Sequence, residues 1–117
     1  MKSTYAIQDY IKTITSLSLN SNKTIIKLGD IAKRLNISPA AVNDMAKKLV
    51  KENLIISHAY KGIELTPQGL LLGKKYIRNH RLWEVFLHEV LQISWDNIHN
   101  EAEQLEHAAS ESLMDKI

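Results

Sequence analysis

The chain has 117 residues, with 15 Lys and Arg against 13 Asp and Glu for a net charge of +2, 44% hydrophobic residues and no cysteine. That length holds one compact domain or two small ones sharing a core, and the absence of thiols excludes disulfides and thiolate metal sites, so any bound metal must use oxygen and nitrogen ligands. No apolar run approaches the roughly 20 residues of a membrane span, and Met1-Lys2-Ser3-Thr4-Tyr5 lacks an apolar signal core. A cytoplasmic location with no membrane partner is therefore expected.

The charge is unevenly spread. Residues 23–51 hold seven basic side chains (Lys23, Lys27, Lys33, Arg34, Lys47, Lys48, Lys51) and two acids, Asp30 and Asp44. Residues 96–111 hold five acids (Asp96, Glu101, Glu103, Glu106, Glu111) and no Lys or Arg. The first stretch suits a polyanion and the second a cation.

In chain order, Ile7, Tyr10, Ile11, Ile14 and Leu17 recur at helical spacing and predict a helix over 4–19, broken by Leu19-Asn20-Ser21-Asn22. Leu28 to Leu35 reads as a short helix with Ile31, Ala32 and Leu35 inward. Asn36-Ile37-Ser38-Pro39 is a turn, with Ser38 as N-cap and Pro39 in the first helical position. A longer helix follows to about Glu52, with Val42, Met45, Ala46, Leu49 and Val50 inward. Leu54 to His58 and Ile63 to Thr66, joined through Ala59-Tyr60-Lys61-Gly62, predict a hairpin. Thr66-Pro67 opens a helix to about Arg81, a further helical segment carries Trp83, Phe86, Leu87 and Val90, and Ser94 caps a last helix from Trp95. Helix, short helix, turn, long helix, hairpin, helix is the order of a winged helix-turn-helix. The fold class is therefore mainly α: a winged helix-turn-helix over 1–66, then a helical region over 67–117.

Within the last helix, His99, Glu103, Glu106 and His107 fall at i, i+4, i+7 and i+8 and share one face. Carboxylates mixed with imidazole suit a divalent first-row metal. His80 and Glu84 repeat the i, i+4 spacing one helix earlier. A solvated face with incidental histidines has the same pattern, so the spacing alone leaves both readings open.

Ile31-Ala32-Lys33-Arg34-Leu35 with Ser38-Pro39, Gly62-Ile63-Glu64-Leu65-Thr66-Pro67-Gln68-Gly69, Asn79-His80-Arg81-Leu82-Trp83-Glu84, and Ile98-His99 through Glu106-His107 together resemble the metal-dependent repressors related to the diphtheria toxin repressor and the manganese transport regulator. The similarity covers essentially the whole chain. It implies a primary metal site at Asp9, Glu103, Glu106 and His107, and an ancillary site at His80, Glu84 and His99. Acids at positions 9 and 103 follow the manganese pattern rather than the thioether and thiol of iron-type members, and hard oxygen ligands suit Mn(II). Some manganese members carry a second acid where this chain has Lys12, which favours two separated sites over a closely spaced pair of ions. Longer members continue into a small barrel domain that adds ancillary ligands; a chain ending at Ile117 is expected to be either a truncated or a short form.

The resemblance further implies a metal-activated repressor of metal-uptake genes, using Mn(II) or Fe(II) and, in vitro, Zn(II), Co(II) or Ni(II). It implies a homodimer on palindromic double-stranded DNA, with no small organic substrate. Ser38, Ala41, Asn43, Asp44, Lys47 and Lys48 are expected along the groove-facing helix, and Lys27 and Lys61 on phosphates. Trp83, Phe86, Leu87 and Leu91 are expected to form a two-fold dimer face. A winged-helix regulator not gated by metal is the alternative. A small helical metalloenzyme is disfavoured, because such sites draw matched ligands from four helices and no catalytic base is evident, so an enzyme is not expected.

Overall fold

The computed structural model describes residues 5–117; Met1 to Thr4, most of the segment read for a signal core, lie outside the described residues. Helix α1 (Tyr5–Ser21) buries Ile7, Tyr10, Ile11, Ile14 and Thr15 along one stripe. It runs through residues 19–21, where a break was expected, and stops at Asn22, whose φ of 56° is a left-handed conformation that Asn tolerates. After β1 (Ile25–Ile26), α2 (Leu28–Leu35) ends on Asn36, also left-handed at φ 55°. Ser38 then opens α3 (Pro39–Lys51): its Oγ accepts the Ala41 N–H at 3.1 Å, satisfying one donor of the first turn. Val42, Ala46 and Leu49 are buried, Met45 is half-buried and Val50 is exposed. Val50 follows Leu49 by one residue, about 100° around the helix, which turns it off the inward stripe.

Strands β2 (Ile55–His58) and β3 (Gly62–Leu65) form the expected hairpin, and β1 adds a third antiparallel strand in the order β1-β3-β2, with Ile26 opposite Ile63 and Ile55 opposite Leu65. Two residues are too few to show an alternating pattern, which is why this strand is invisible in the sequence. Helix α4 (Pro67–Glu89) is continuous where two segments were expected; no Gly or Pro interrupts residues 74–89, and the break had no physical basis.

The chain divides into two compact units, one ending at Lys74 and the other Lys75–Ile117, the division falling inside α4. The first is built on α1, α2, α3 and the sheet, with Ile11, Ile14, Ile31, Val42, Leu49, Ile55 and Ile63 in its core. Thr66 locks the start of α4 there. Its Oγ1 accepts the Gly69 N–H at 3.0 Å, while its hydroxyl donates to the carbonyl of Asn53 (2.9 Å) or Leu54 (3.1 Å). A Cβ on Gly69 would run into the Leu54 carbonyl oxygen. Helix propensity favours Ala over Gly by about 1 kcal/mol, but a backbone carbonyl cannot move aside. Gly69→Ala is therefore expected to destabilise the fold by about 2 kcal/mol in urea unfolding; a stabilised variant would contradict this packing.

The Tyr10 hydroxyl, buried in the same core, donates to the Val42 carbonyl at 3.2 Å. Burial pushes its ionisation well above the ordinary 10.0 of a phenol. The un-ionised ring supports the fold below pH 10, and this contribution is lost as pH rises toward the raised folded value. Phenolate absorbance should accordingly show one of the four tyrosines titrating only as the protein unfolds; four ordinary titrations in the folded state would refute the placement of Tyr10.

The second unit packs the rest of α4 with α5 (Trp95–Ala108) and the short α6 (Glu111–Met114) around Trp83, Leu87, Ile98, Ala102 and Met114. Trp83 meets Phe86 edge-on, with ring centroids 5.6 Å apart. Trp83 and Leu87, expected on a dimer face, are instead core residues, Phe86 is partly buried against them, and only Leu91 of that set is exposed. Ser94 occupies the expected cap position, but no cap bond from its side chain to the helix backbone forms; its Oγ accepts from Asn97 Nδ2 at 3.2 Å. Among the described residues, no helix is long and apolar enough to cross a membrane.

Candidate metal centre and nucleic-acid interface

The second unit gathers the histidines and acids of α4 and α5. Glu103 stands one turn before the adjacent Glu106 and His107 on α5, and each offers a ligand atom within 4.8 Å of the others. His107 Nε2 lies 3.2 Å from Glu103 Oε1 and 3.9 Å from Glu106 Oε1. The side chains of Glu106 and His107 are each only 3% exposed. The i, i+3, i+4 spacing puts all three on the face where α5 also buries Ile98 and Ala102, so part of this polar set is drawn under cover with the core.

His80, from α4, is the hub. Its Nδ1 is 2.9 Å from Glu106 Oε2 and 3.5 Å from Glu103 Oε2; its Nε2 is 3.1 Å from His99 Nδ1 and 3.6 Å from Glu84 Oε2. His80, His99 and Glu103 form a second group of ligand atoms within 4.8 Å of one another. Glu103 thus belongs to both groups, and His80 reaches acids of the α5 set as well as Glu84 and His99. The sequence offered no signal for either link, because helical periodicity places residues on a face but says nothing of which faces meet.

The donor set fits a divalent cation. Carboxylate oxygens and imidazole nitrogens converge within 4.8 Å of one another, and Glu106 is buried. Such oxygen and nitrogen ligands suit Mn(II), Fe(II) and the metals after them in the first row. Asp9 stands on α1 in the first unit, half-buried, with Lys12 Nζ 3.6 Å from its Oδ1.

In the first unit, Lys27, Ser38, Ala41, Asn43, Asp44, Lys47, Lys48 and Lys61 are all exposed. Ser38 to Lys48 lie on α3 or its cap, Lys27 precedes α2, and Lys61 is in the hairpin loop. The stripe of Val42, Ala46 and Leu49 holds α3 against the core and turns its polar residues outward. Of the two histidines given no role, His58 bonds Glu64 across the hairpin at 2.9 Å and His88 stacks on Trp95 with centroids 4.1 Å apart.

Comparison with known families matches residues 2–63 to the iron-dependent repressor N-terminal DNA-binding domain and residues 66–117 to the iron-dependent repressor metal-binding and dimerisation domain. An HTH-type transcriptional regulator MntR of Lysinibacillus sphaericus is 34% identical over 114 residues, covering 97% of this chain and 80% of that protein. An uncharacterized HTH-type transcriptional regulator of Methanocaldococcus jannaschii is 37% identical over 112 residues, covering 96% and 89%. Among solved structures, the manganese regulator SloR superimposes with a TM-score of 0.79 at 37% identity, and IdeR of T. acidophilum with 0.79 at 28%. Each match covers 99% of this chain, which spans about half of those two chains (52% and 53%).

Proposed function

Because the chain belongs to the iron-dependent repressor family, with that family's DNA-binding domain followed by its metal-binding and dimerisation domain, we propose that it is a cytoplasmic, metal-activated repressor that binds a palindromic operator as a homodimer. Its targets are metal-uptake genes, and it acts as a regulator, not as an enzyme. The observation that carries this reading is the convergence of Glu103, Glu106, His107, His80 and His99 in one unit of a chain whose other unit exposes a helix-turn-helix. The family boundaries support a division into a DNA-binding part, 1–66, and a metal-binding and dimerisation part, 67–117.

Glu103, Glu106 and His107 hold the primary ion, and Asp9 completes the set from α1, as the family pattern implies. His80, Glu84 and His99 serve the ancillary position. A bound divalent cation supplies positive charge to carboxylates that otherwise repel one another. Mn(II) is the favoured co-repressor and Fe(II) the next, since all of these side chains offer oxygen or imidazole nitrogen and the chain contains no thiol; Zn(II), Co(II) and Ni(II) are expected to bind in vitro. A divalent ion held by Asp9 together with Glu103, Glu106 and His107 would tie the first helix to α5, and so couple metal binding to the recognition helices. On DNA, Asn43 and Ser38 reach base edges, Ala41 reaches a thymine methyl and Asp44 a cytosine amine, while Lys27, Lys47, Lys48 and Lys61 meet phosphates. The dimer face includes Val85, Val90, Leu91 and Trp95, large apolar side chains left exposed around the turn from α4 to α5. Selection of duplexes from a random pool, with Mn(II) and with a chelator, tests the reading: a palindromic site should emerge only with metal. The same site recovered in chelator would favour a winged-helix regulator not gated by metal.

A further inference from the structure

The hairpin carries an ionisable pair that takes no part in metal binding. His58 ends β2 opposite Gly62, and Glu64 lies in β3 opposite Ile56. The two are therefore diagonal neighbours on one face of the ladder, within reach of long side chains. Gly62 offers no side chain to fill the place opposite His58, and a Cβ there would strike the Ile26 carbonyl oxygen. The imidazole reaches along the hairpin instead, and its Nε2 lies 2.9 Å from Glu64 Oε1. Each side chain is 33% exposed, so both exchange protons with water.

With a proton on Nε2, the ring donates to Glu64 in both its neutral and its charged form. A second proton, taken up on Nδ1, changes the net charge of the pair from one negative charge to none and leaves the bond in place. Histidine is the side chain that ordinarily makes this change between about pH 5 and 8. His58 also lines a cleft of about 510 Å³. The other ionisable residues lining it are Lys27, Tyr60 and Lys61; α3 contributes the neutral Asn43, and none of the lining residues is an acid. Glu64, bonded to His58, is thus the acid that sets the charge at this wall of the cleft.

We propose that the His58–Glu64 pair is a proton-operated charge switch on DNA affinity: the imidazolium cancels the Glu64 carboxylate beside the phosphate-facing lysines, and the neutral imidazole leaves that carboxylate to repel the backbone. This rests on the DNA-binding reading above and adds a second input, which acts at the hairpin and not at the metal centre. The bound state favours protonated His58, so DNA binding takes up protons and affinity rises as pH falls. One added cation beside the backbone equals at most one more neutralised phosphate. At 0.1 M salt that is roughly three- to tenfold in affinity, and about 0.9 in the slope of log affinity against log salt.

The test is fluorescence anisotropy of labelled random-sequence duplex DNA with the full chain in saturating Mn(II), at about pH 6 and about pH 8. The metal-ligand histidines are common to parent and variants, so their titration cancels in the comparison. His58→Gln keeps a donor for Glu64 but never gains a charge. It should match the parent at about pH 8, and the parent should gain roughly three- to tenfold over it at about pH 6, with a steeper salt slope. His58→Lys should bind at about pH 8 as tightly as the parent does at about pH 6. Glu64→Gln should exceed the parent at about pH 8. The pair is partly exposed, so circular dichroism of all three variants should match the parent. A parent that gains no more than His58→Gln as pH falls would overturn the proposal and leave the DNA reading standing. A parent that binds no duplex at either pH would overturn both.

Discussion

Glu106→Ala and His107→Ala should each abolish metal-stimulated DNA binding while leaving the fold intact. Glu106 is buried and lies 2.9 Å from His80, and His107 lies 3.2 Å from Glu103; both variants remove a donor from the centre of the α5 set. Loss of an outer-sphere partner weakens metal binding by roughly 10- to 100-fold, so loss of a direct ligand should exceed about a hundredfold for Mn(II) by calorimetry. In the metal-free protein Glu106→Ala gives up the bond to His80 but also removes a carboxylate beside Glu103, so circular dichroism should show the parent fold even where the thermal midpoint falls. Variants that keep full metal stimulation would remove Glu106 and His107 from the primary site.

The second large effect is expected at the apolar turn. Leu91→Glu combined with Trp95→Glu places two charges among Val85, Val90, Leu91 and Trp95, all exposed within the single chain. The isolated chain should fold normally, since none of the four belongs to the buried set around Trp83, Leu87, Ile98, Ala102 and Met114. Sedimentation should show the parent as a dimer and the double variant as a monomer at micromolar concentration. Without the second half-site contact, operator affinity should fall by roughly a hundredfold or more. A dimeric double variant would place the interface elsewhere.

How much of this could be read in the sequence depended on the range of the determinant. The helix-turn-helix was legible because its signals are local: Ser38 caps, Pro39 follows, and Val42, Ala46 and Leu49 repeat at helical spacing. The wing was legible from two short runs around Gly62, but β1 was not, since it exists only by pairing with β3. The candidate ligands of α5 could be singled out because i, i+4, i+7 and i+8 return to one face whatever packs there. That Glu103 serves both ligand groups, and that His80 bonds Glu106, depended on how α4 meets α5, which periodicity does not encode. Trp83 and Leu87 were misassigned for the same reason: an apolar stripe looks alike whether it is covered by α5 and α6 or by a second chain. The four-residue α6, which supplies Met114 to that core, is too short to leave a periodic trace.

The central claim is that metal occupancy and DNA binding are coupled. The most direct test is operator binding by the purified full chain, followed by anisotropy while Mn(II) is titrated anaerobically into the metal-free protein, with calorimetry of the same titration. Operator affinity that rises as the primary site fills is the predicted result. By linkage, the chain on its operator should then bind Mn(II) more tightly by the same factor. Operator affinity that stays constant while the site fills would contradict the account and leave a winged-helix protein governed by another signal.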